Sequence, residues 1–346
     1  RASMVRDLIQ SFKLFENMYI KSGRIATKEE LQLFHSSEYI EYLSKTNNNV
    51  TDENDDVTNE QEKFGLAYDC PMINRLYDFV SVIAGGTLAA VDELLNGAYI
   101  CMNWMGGWHH AQTDSAEGFC YVNDIAIGIQ KLRSKFKKIL YIDLDVHHGN
   151  GVENGFLFSK NIFTLAFHLY EPGFFPGTGN FTECGIGPGK GFSVNAPYKR
   201  FISGSHFIPY FKTISNAVHE KFLPDVCAIQ CGADVIVGDK LGGTNLIISD
   251  LLECISEILK WHEPKLFLGG GGYNLTNSSK YWTQITALVC DKKLDDDIPE
   301  HEYFPKYGPD FVLSVDRQNC KDLNTKQELD RIVSTIKENL EKYSSG

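Results

Sequence analysis

Short apolar runs and helix-period segments alternate along most of this chain. Runs at 100–104, 139–145, 162–168, 192–196, 226–231 and 266–268 are compact and largely apolar, the pattern of strands buried on both faces. Between them, 77–95, 122–135, 206–222, 249–262 and 278–290 carry apolar residues at helical spacing. Upstream, 3–20 and 28–45 also read as helices, the second opened by Thr27 as an N-cap before Lys28-Glu-Glu30. Residues 46–62 are polar, acidic and short of hydrophobes, which predicts an exposed loop without stable order. In 77–95, Gly85-Gly86 is expected to permit close helix packing. Strand–helix alternation predicts an α/β chain, a mainly parallel sheet with helices on both faces. No repeat or linker interrupts it, so one domain is expected over 1–346. Such sheets bind ligands beyond the carboxyl ends of their strands, and the unusual residues of this sequence cluster there.

The chain has 346 residues, 43% of them hydrophobic, enough for a substantial core. No apolar run approaches the ~20 residues of a membrane-spanning helix. A net charge of −12 argues against a general phosphate-backbone binder and suits cationic partners such as Lys-rich tails. Nine cysteines without regular spacing form no disulfide framework, and no secretory pattern opens the chain, so a reducing compartment, cytosol or nucleus, is expected.

Four motifs carry chemistry. In Tyr141-Ile-Asp-Leu-Asp-Val-His-His-Gly149, Asp143, Asp145 and His147 are spaced by two, so a strand end can project all three one way. Asp145 and His147 offer an oxygen and a nitrogen to a borderline metal such as zinc, although an acidic strand end with a hydrogen-bonded His has the same spelling. Gln230-Cys-Gly-Ala-Asp234 supplies a third candidate ligand, Asp234, the alternative being a helix cap, while Asp239 reads as a turn or supporting residue. Trp104-Met-Gly-Gly-Trp-His-His110 can bring His109 and His110 to the same rim for acid–base work, with Asp143 free to orient one of them. Gly269-Gly-Gly-Gly-Tyr273 lacks the Lys of a phosphate loop and instead presents a phenol that can stabilise an oxyanion. Phe119, after Gly118, and Phe175 lie in Gly/Pro-rich loops and can flank a slot for an aliphatic chain, with Asp69 at its rim.

Together, Gly107-Trp-His-His-Ala111, Gly118-Phe-Cys-Tyr-Val-Asn-Asp124, Asp143-Leu-Asp-Val-His-His-Gly149, Gly173-Phe-Phe-Pro-Gly-Thr-Gly179, Gly232-Ala-Asp234 and Gly269-Gly-Gly-Gly-Tyr273 resemble the class I zinc-dependent histone deacetylases, in order, over roughly residues 65–310. The subgroup resembled most is histone deacetylase 8. The resemblance implies the three-layer αβα arginase/deacetylase fold and removal of acetyl or longer acyl groups from lysine side chains of histones and other proteins. It implies zinc, with iron or cobalt as substitutes, on Asp145, His147 and Asp234. His110 becomes the general base and later acid, His109 with Asp143 an electrostatic histidine, Asn150 the partner of His110, and Tyr273 the carbonyl polariser. Asp69, Gly118, Phe119, Phe175, Leu241 and Tyr273 become substrate contacts. A structural monovalent cation, potassium, is implied around Asp143, Asp145, His147, His168 and Phe192. Acyl-lysine proteins are the implied partners, without direct nucleic-acid or membrane binding or an obligate corepressor, in nucleus and cytoplasm.

Departures from the family pattern sharpen the expectations. Asn150 stands where class I members usually carry Asp, which predicts a lower pKa for His110 than a carboxylate partner gives. Ala166 replaces a Ser that helps hold the inner cation, so a weaker or water-completed site is expected, and Leu241 replaces a Met of the subgroup. The chain starts after the family's usual first strand, so Arg1, matching a family Arg near an internal channel, is expected not to be the native terminus. A dimanganese ureohydrolase of the same fold is the rival enzyme, but Gly149 and Val235 stand where further acidic ligands would help. A silent acyl-lysine reader is the non-enzymatic rival, against which every catalytic position is filled.

Overall fold

The computed structural model describes residues 1–47 and 57–343. Six strands form one all-parallel sheet: β1 (Ile100–Asn103), β2 (Ile139–Asp143), β3 (Ile162–Leu169), β4 (Ser193–Tyr198), β5 (Val226–Gln230) and β6 (Lys265–Leu268), in the order β1-β6-β5-β2-β3-β4. Each lies where the hydrophobic pattern puts a strand. Eleven helices surround the sheet among the described residues: α1 (Ala2–Ser11), α2 (Lys28–Leu31), α3 (Ser37–Lys45), α4 (Asn59–Lys63), α5 (Leu76–Leu95), α6 (Asp124–Leu132), α7 (Asn150–Phe156), α8 (Gly204–Phe222), α9 (Ile248–Leu259), α10 (Leu275–Val289) and α11 (Lys326–Tyr343).

Strand parity builds the layers, because successive side chains point to opposite faces. Leu140 and Ile142 of β2, Cys227 and Ile229 of β5 and Phe267 of β6 join one core with residues of α1, α8, α9, α10 and α11. Ile139 and Tyr141, Val226 and Ala228, and Leu266 and Leu268 join a second core with α3, α5, α6 and α7. This is the three-layer αβα arrangement that the strand–helix alternation predicts. Helix α5 fits closely under the N-terminal segment: a Cβ at Gly85 would lie 1.8 Å from the Arg24 carbonyl oxygen.

Several local expectations need correction. The 3–20 helix ends at Ser11, since Lys13 takes a left-handed backbone (φ 56°) that starts a short 3-10 turn, Leu14–Asn17, and buries Leu14. The 28–45 helix is two: Thr27 caps α2 in a capping box with Glu30, then Ser36 accepts from Tyr39 N and starts α3 afresh. Within 46–62, residues 48–56 lie outside the described residues, whereas Thr58 and Gln61 form a capping box that begins α4. Helices α7 and α11 were not anticipated. Among the described residues no helix is long and apolar enough to cross a membrane.

Candidate metal centre

The loops after β1, β6, β5 and β2, four neighbours in the sheet, deliver the candidate residues to one place. Beyond Asp143, the last residue of β2, the chain keeps its alternation: Leu144 and Val146 enter the core, while Asp145 and His147 turn the other way. Asp234 arrives from β5. His147 Nδ1 lies 3.2 Å from Asp145 Oδ1 and 3.1 Å from Asp234 Oδ2. Ligand atoms ~2.0–2.1 Å from a tetrahedral ion stand ~3.3–3.4 Å from each other, so this spacing fits a small divalent cation. Among the described residues it is the one group of three such side chains that converges in this way, and all three are buried.

The other carboxylate oxygens are held by neighbours, which aims Asp145 Oδ1 and Asp234 Oδ2 toward His147. Asp145 Oδ2 accepts from Gln230 Nε2 at 2.8 Å and Gly271 N at 2.9 Å, and Asp234 Oδ1 accepts from Val146 N at 3.1 Å. Asp234 is therefore no helix cap. Gly271 must be glycine here, because a Cβ would come within 1.9 Å of Asp234 Oδ2. The charges also ask for a cation. Burial and the neighbouring Asp145 push Asp234 up to about 7. Burial opposes charge on His147, yet Asp145 and Asp234 raise it to about 10. Asp145, despite its burial, is held well below the usual carboxylate range by His109 and His147. The protein thus gathers more negative charge than its own side chains neutralise without a proton, and a divalent ion can take that proton's place.

Two histidines stand beside this group. His109 Nδ1 lies 2.8 Å from Asp143 Oδ2, which also accepts from Tyr141 Oη at 2.6 Å. Burial disfavours the His109 cation, but Asp143 and Asp145 outweigh it and raise the imidazole to about 9. His110 Nδ1 lies 2.9 Å from Asn150 Oδ1. Burial first, then the charge on His109, hold His110 well below its ordinary value. One ring is thus cationic near neutrality and its neighbour a neutral base.

Tyr273 follows the glycine run. Its N–H and that of Asn274 both donate to Asp239 Oδ2, at 2.7 and 2.9 Å, and Asn274 caps α10, so the loop is held at two points. Burial, with Asp234 and Asp145 nearby, pushes the phenol pKa well up, which keeps it a neutral donor.

A cavity of about 330 Å³ opens above these groups, lined by Asp69, His110, Gly118, Phe119, His147, Phe174, Phe175, Leu241 and Tyr273. Phe119 leans edge-on against Tyr273 and Phe175 against His110, while Asp69 Oδ2 accepts from Gly118 N at 2.7 Å. A second space of about 140 Å³ continues past His110, Asp145 and His147 to Arg1, Cys120 and Gly271, with Arg1 Nη1 donating to the Gly272 carbonyl.

The candidate cation residues divide. Asp143 pairs with Ala166 across the sheet, and His168, with its buried Nε2 unpartnered, lies two residues farther along β3. Phe192 is not with them: it packs on Phe163 and Phe222, three rungs or ~10 Å back along the sheet. Sequence reasoning gave no role to Gln230, Tyr141, Phe174 or Glu117. Gln230 opens a motif already singled out, and Tyr141 shares the parity of Asp143. Phe174, stacked on His147 with centroids 5.1 Å apart, sits in the aromatic loop. Glu117 carried no signal at all.

A family model described as the histone deacetylase domain matches residues 1–289. Histone deacetylase 8 of Danio rerio is 40% identical over 98% of this chain and 89% of its own length, and that of Xenopus tropicalis 40% over 98% and 91%. Histone deacetylase clr6 of Schizosaccharomyces pombe is 38% identical over 99% of this chain and 84% of its own.

Proposed function

The chain belongs to the histone deacetylase family and is a protein lysine deacetylase, and from that premise we propose that it works with a single zinc ion held by Asp145, His147 and Asp234. The family is metal-dependent, and this buried Asp-His-Asp group is able to hold a metal. Iron or cobalt fits the same donors. The observation that carries the reading is the convergence of the three ligand atoms at the floor of an aromatic-walled cavity that also holds His110 and Tyr273. When bound, zinc supplies Lewis acidity, lowering the pKa of a water toward ~7 and polarising a carbonyl.

The side chains divide the remaining work. An acyl-lysine stem enters between Phe119 and Phe175, beside Gly118 and Leu241, with Asp69 accepting from substrate backbone at the rim. Tyr273 Oη donates to the acyl oxygen as negative charge develops. His110, neutral and with its Nδ1 on Asn150, accepts a proton from water at Nε2 and returns it to the departing lysine amine. His109, cationic on Asp143, offsets negative charge without moving a proton. Asp143, Asp145 and His147, with His168 farther along β3, mark the neighbourhood of a structural potassium ion, and Phe192 belongs to a separate stretch of sheet.

Histone tails and other acetylated proteins are the proposed substrates, with acetyl and longer acyl groups both accommodated. The acidic surface favours such Lys-rich partners. We place this activity in a single catalytic domain spanning 1–346, resident in nucleus and cytoplasm, without nucleic-acid or membrane binding and without an obligate corepressor. Metal analysis of purified protein together with turnover of an acetyl-lysine peptide, with and without a chelator, tests the reading. One zinc per chain and chelator-sensitive turnover are expected, and active protein with no bound divalent ion defeats it.

A further inference from the structure

Glu117 lies behind the His110–Asn150 pair. Its Oε1 accepts from Asn150 Nδ2 at 3.0 Å and its Oε2 from Gln112 Nε2 at 2.7 Å. Gln112 is fixed in turn: Nε2 also donates to the His110 carbonyl at 3.0 Å, and Oε1 accepts from Asn154 Nδ2 at 3.0 Å. The Glu117 carboxylate therefore reaches Asn150 from an anchored position.

That contact resolves an ambiguity which an amide partner creates. The two ends of an Asn side chain have nearly the same shape, and its outer torsion is roughly two-fold. Turned one way, Asn150 offers an acceptor to His110 Nδ1; turned over, it offers a donor. In the first case His110 carries its hydrogen on Nδ1 and leaves the Nε2 lone pair free. In the second, Nδ1 must accept, the hydrogen sits on Nε2, and the ring cannot take a proton there. A carboxylate at position 150 would accept in either orientation and would need no help. An ionised Glu117 only accepts, so the Asn150 NH₂ has to face it and the Asn150 oxygen has to face His110.

We infer that Glu117 is a positioning residue that locks the Asn150 amide and thereby fixes His110 in its Nδ1–H tautomer. The inference rests on the reading of His110 as general base. In this chain the carboxylate stands one side chain farther from the imidazole, with an amide relaying its preference.

The test compares Glu117→Ala, Asn150→Asp, Glu117→Gln/Asn150→Asp and His110→Gln on an acetyl-lysine peptide. Protein labelled with ¹⁵N in histidine reports the tautomer. Glu117→Ala is expected to lower kcat by ~10-fold or more, inside the ~10²–10⁴ that a general base contributes, with KM within ~2-fold. Its His110 Nε2 resonance moves from the lone-pair toward the N–H region. Asn150→Asp alone sets two carboxylates side by side and lowers kcat as well. The double variant restores an accept-only partner for His110 with an amide behind it, and is expected to return kcat to within ~3-fold of wild type. A double variant no better than Asn150→Asp alone overturns the inference. Glu117→Ala with wild-type kcat and an unmoved Nε2 resonance also overturns it, while loss of turnover in His110→Gln shows that the general-base reading survives. If His110→Gln keeps wild-type turnover, the base assignment falls and takes this inference with it.

Discussion

His109 and His110 are consecutive, with ring centroids 4.0 Å apart, yet their Nδ1 atoms rest on side chains of different charge, the Asp143 carboxylate for one and the Asn150 amide for the other. The carboxylate holds a proton on its ring. The amide offers no charge, and burial beside a cation strips the proton from the second ring. A single backbone turn thus carries a cationic ring and a neutral one side by side.

A pH profile follows. The proposed base, His110, must be neutral, so kcat/KM is expected to fall as pH drops through the His110 pKa, which lies well below 6.5. A cationic His109 is lost as pH rises through about 9. The expected profile is a plateau from below 6.5 to about 9. In Glu117→Gln/Asn150→Asp a carboxylate faces His110 directly and favours its charged form, so the acid limb moves up by about one unit or more. An acid limb that stays put in that variant would refute the charge argument.

Tyr273 is a neutral donor with its loop pinned by Asp239. Tyr273→Phe should lower kcat by ~10²–10³ while an acetyl-lysine peptide still binds, the loss of one oxyanion donor. Wild-type turnover in that variant would remove the Tyr273 phenol from the chemistry.

Metal binding must displace protons. The proposed ligands hold them at His147, raised to about 10, and at Asp234, at about 7. Affinity for zinc is therefore expected to weaken steadily as pH falls from about 10, with proton release on binding. Calorimetry in buffers of different ionisation enthalpy measures that release, and a buffer-independent enthalpy at pH 8 would contradict it.

Gln230 spans the site from behind, donating to Asp145 Oδ2 while its own oxygen accepts from Gly232 N. Gln230→Leu should keep the fold and lower metal affinity by ~10–100-fold, the usual cost of losing a partner that orients a ligand. Zinc titration with a competing chelator reads the change, and unchanged affinity would make Gln230 a packing residue only.

The strands were legible because each is a short apolar run bounded by turn residues, and strand parity carried directly into the placement of Asp143, Asp145 and His147. His109, His110, Asp234 and Tyr273 were found because they follow glycines just past such runs. Helix boundaries were less legible where they rest on one backbone angle, as at Lys13, or on a restart such as Ser36. Helix α7 is only seven residues long and begins directly after the site motif, which masks its periodicity. Gln230 and Glu117 escaped for a different reason. Their roles are set by partners 85 and 33 positions away, and no local pattern encodes a hydrogen bond between such distant segments.

The strand order has a temporal side. β6 lies between β1 and β5, although 120 or more residues of chain separate β1 from β5. A chain growing from its N-terminus holds both histidines and all three proposed ligands before residue 265 emerges, but has a gap in mid-sheet where the site is to close. Synthesis must pass Tyr273 before the floor and the phenol can meet, so a nascent chain stopped short of that point carries its chemistry in pieces.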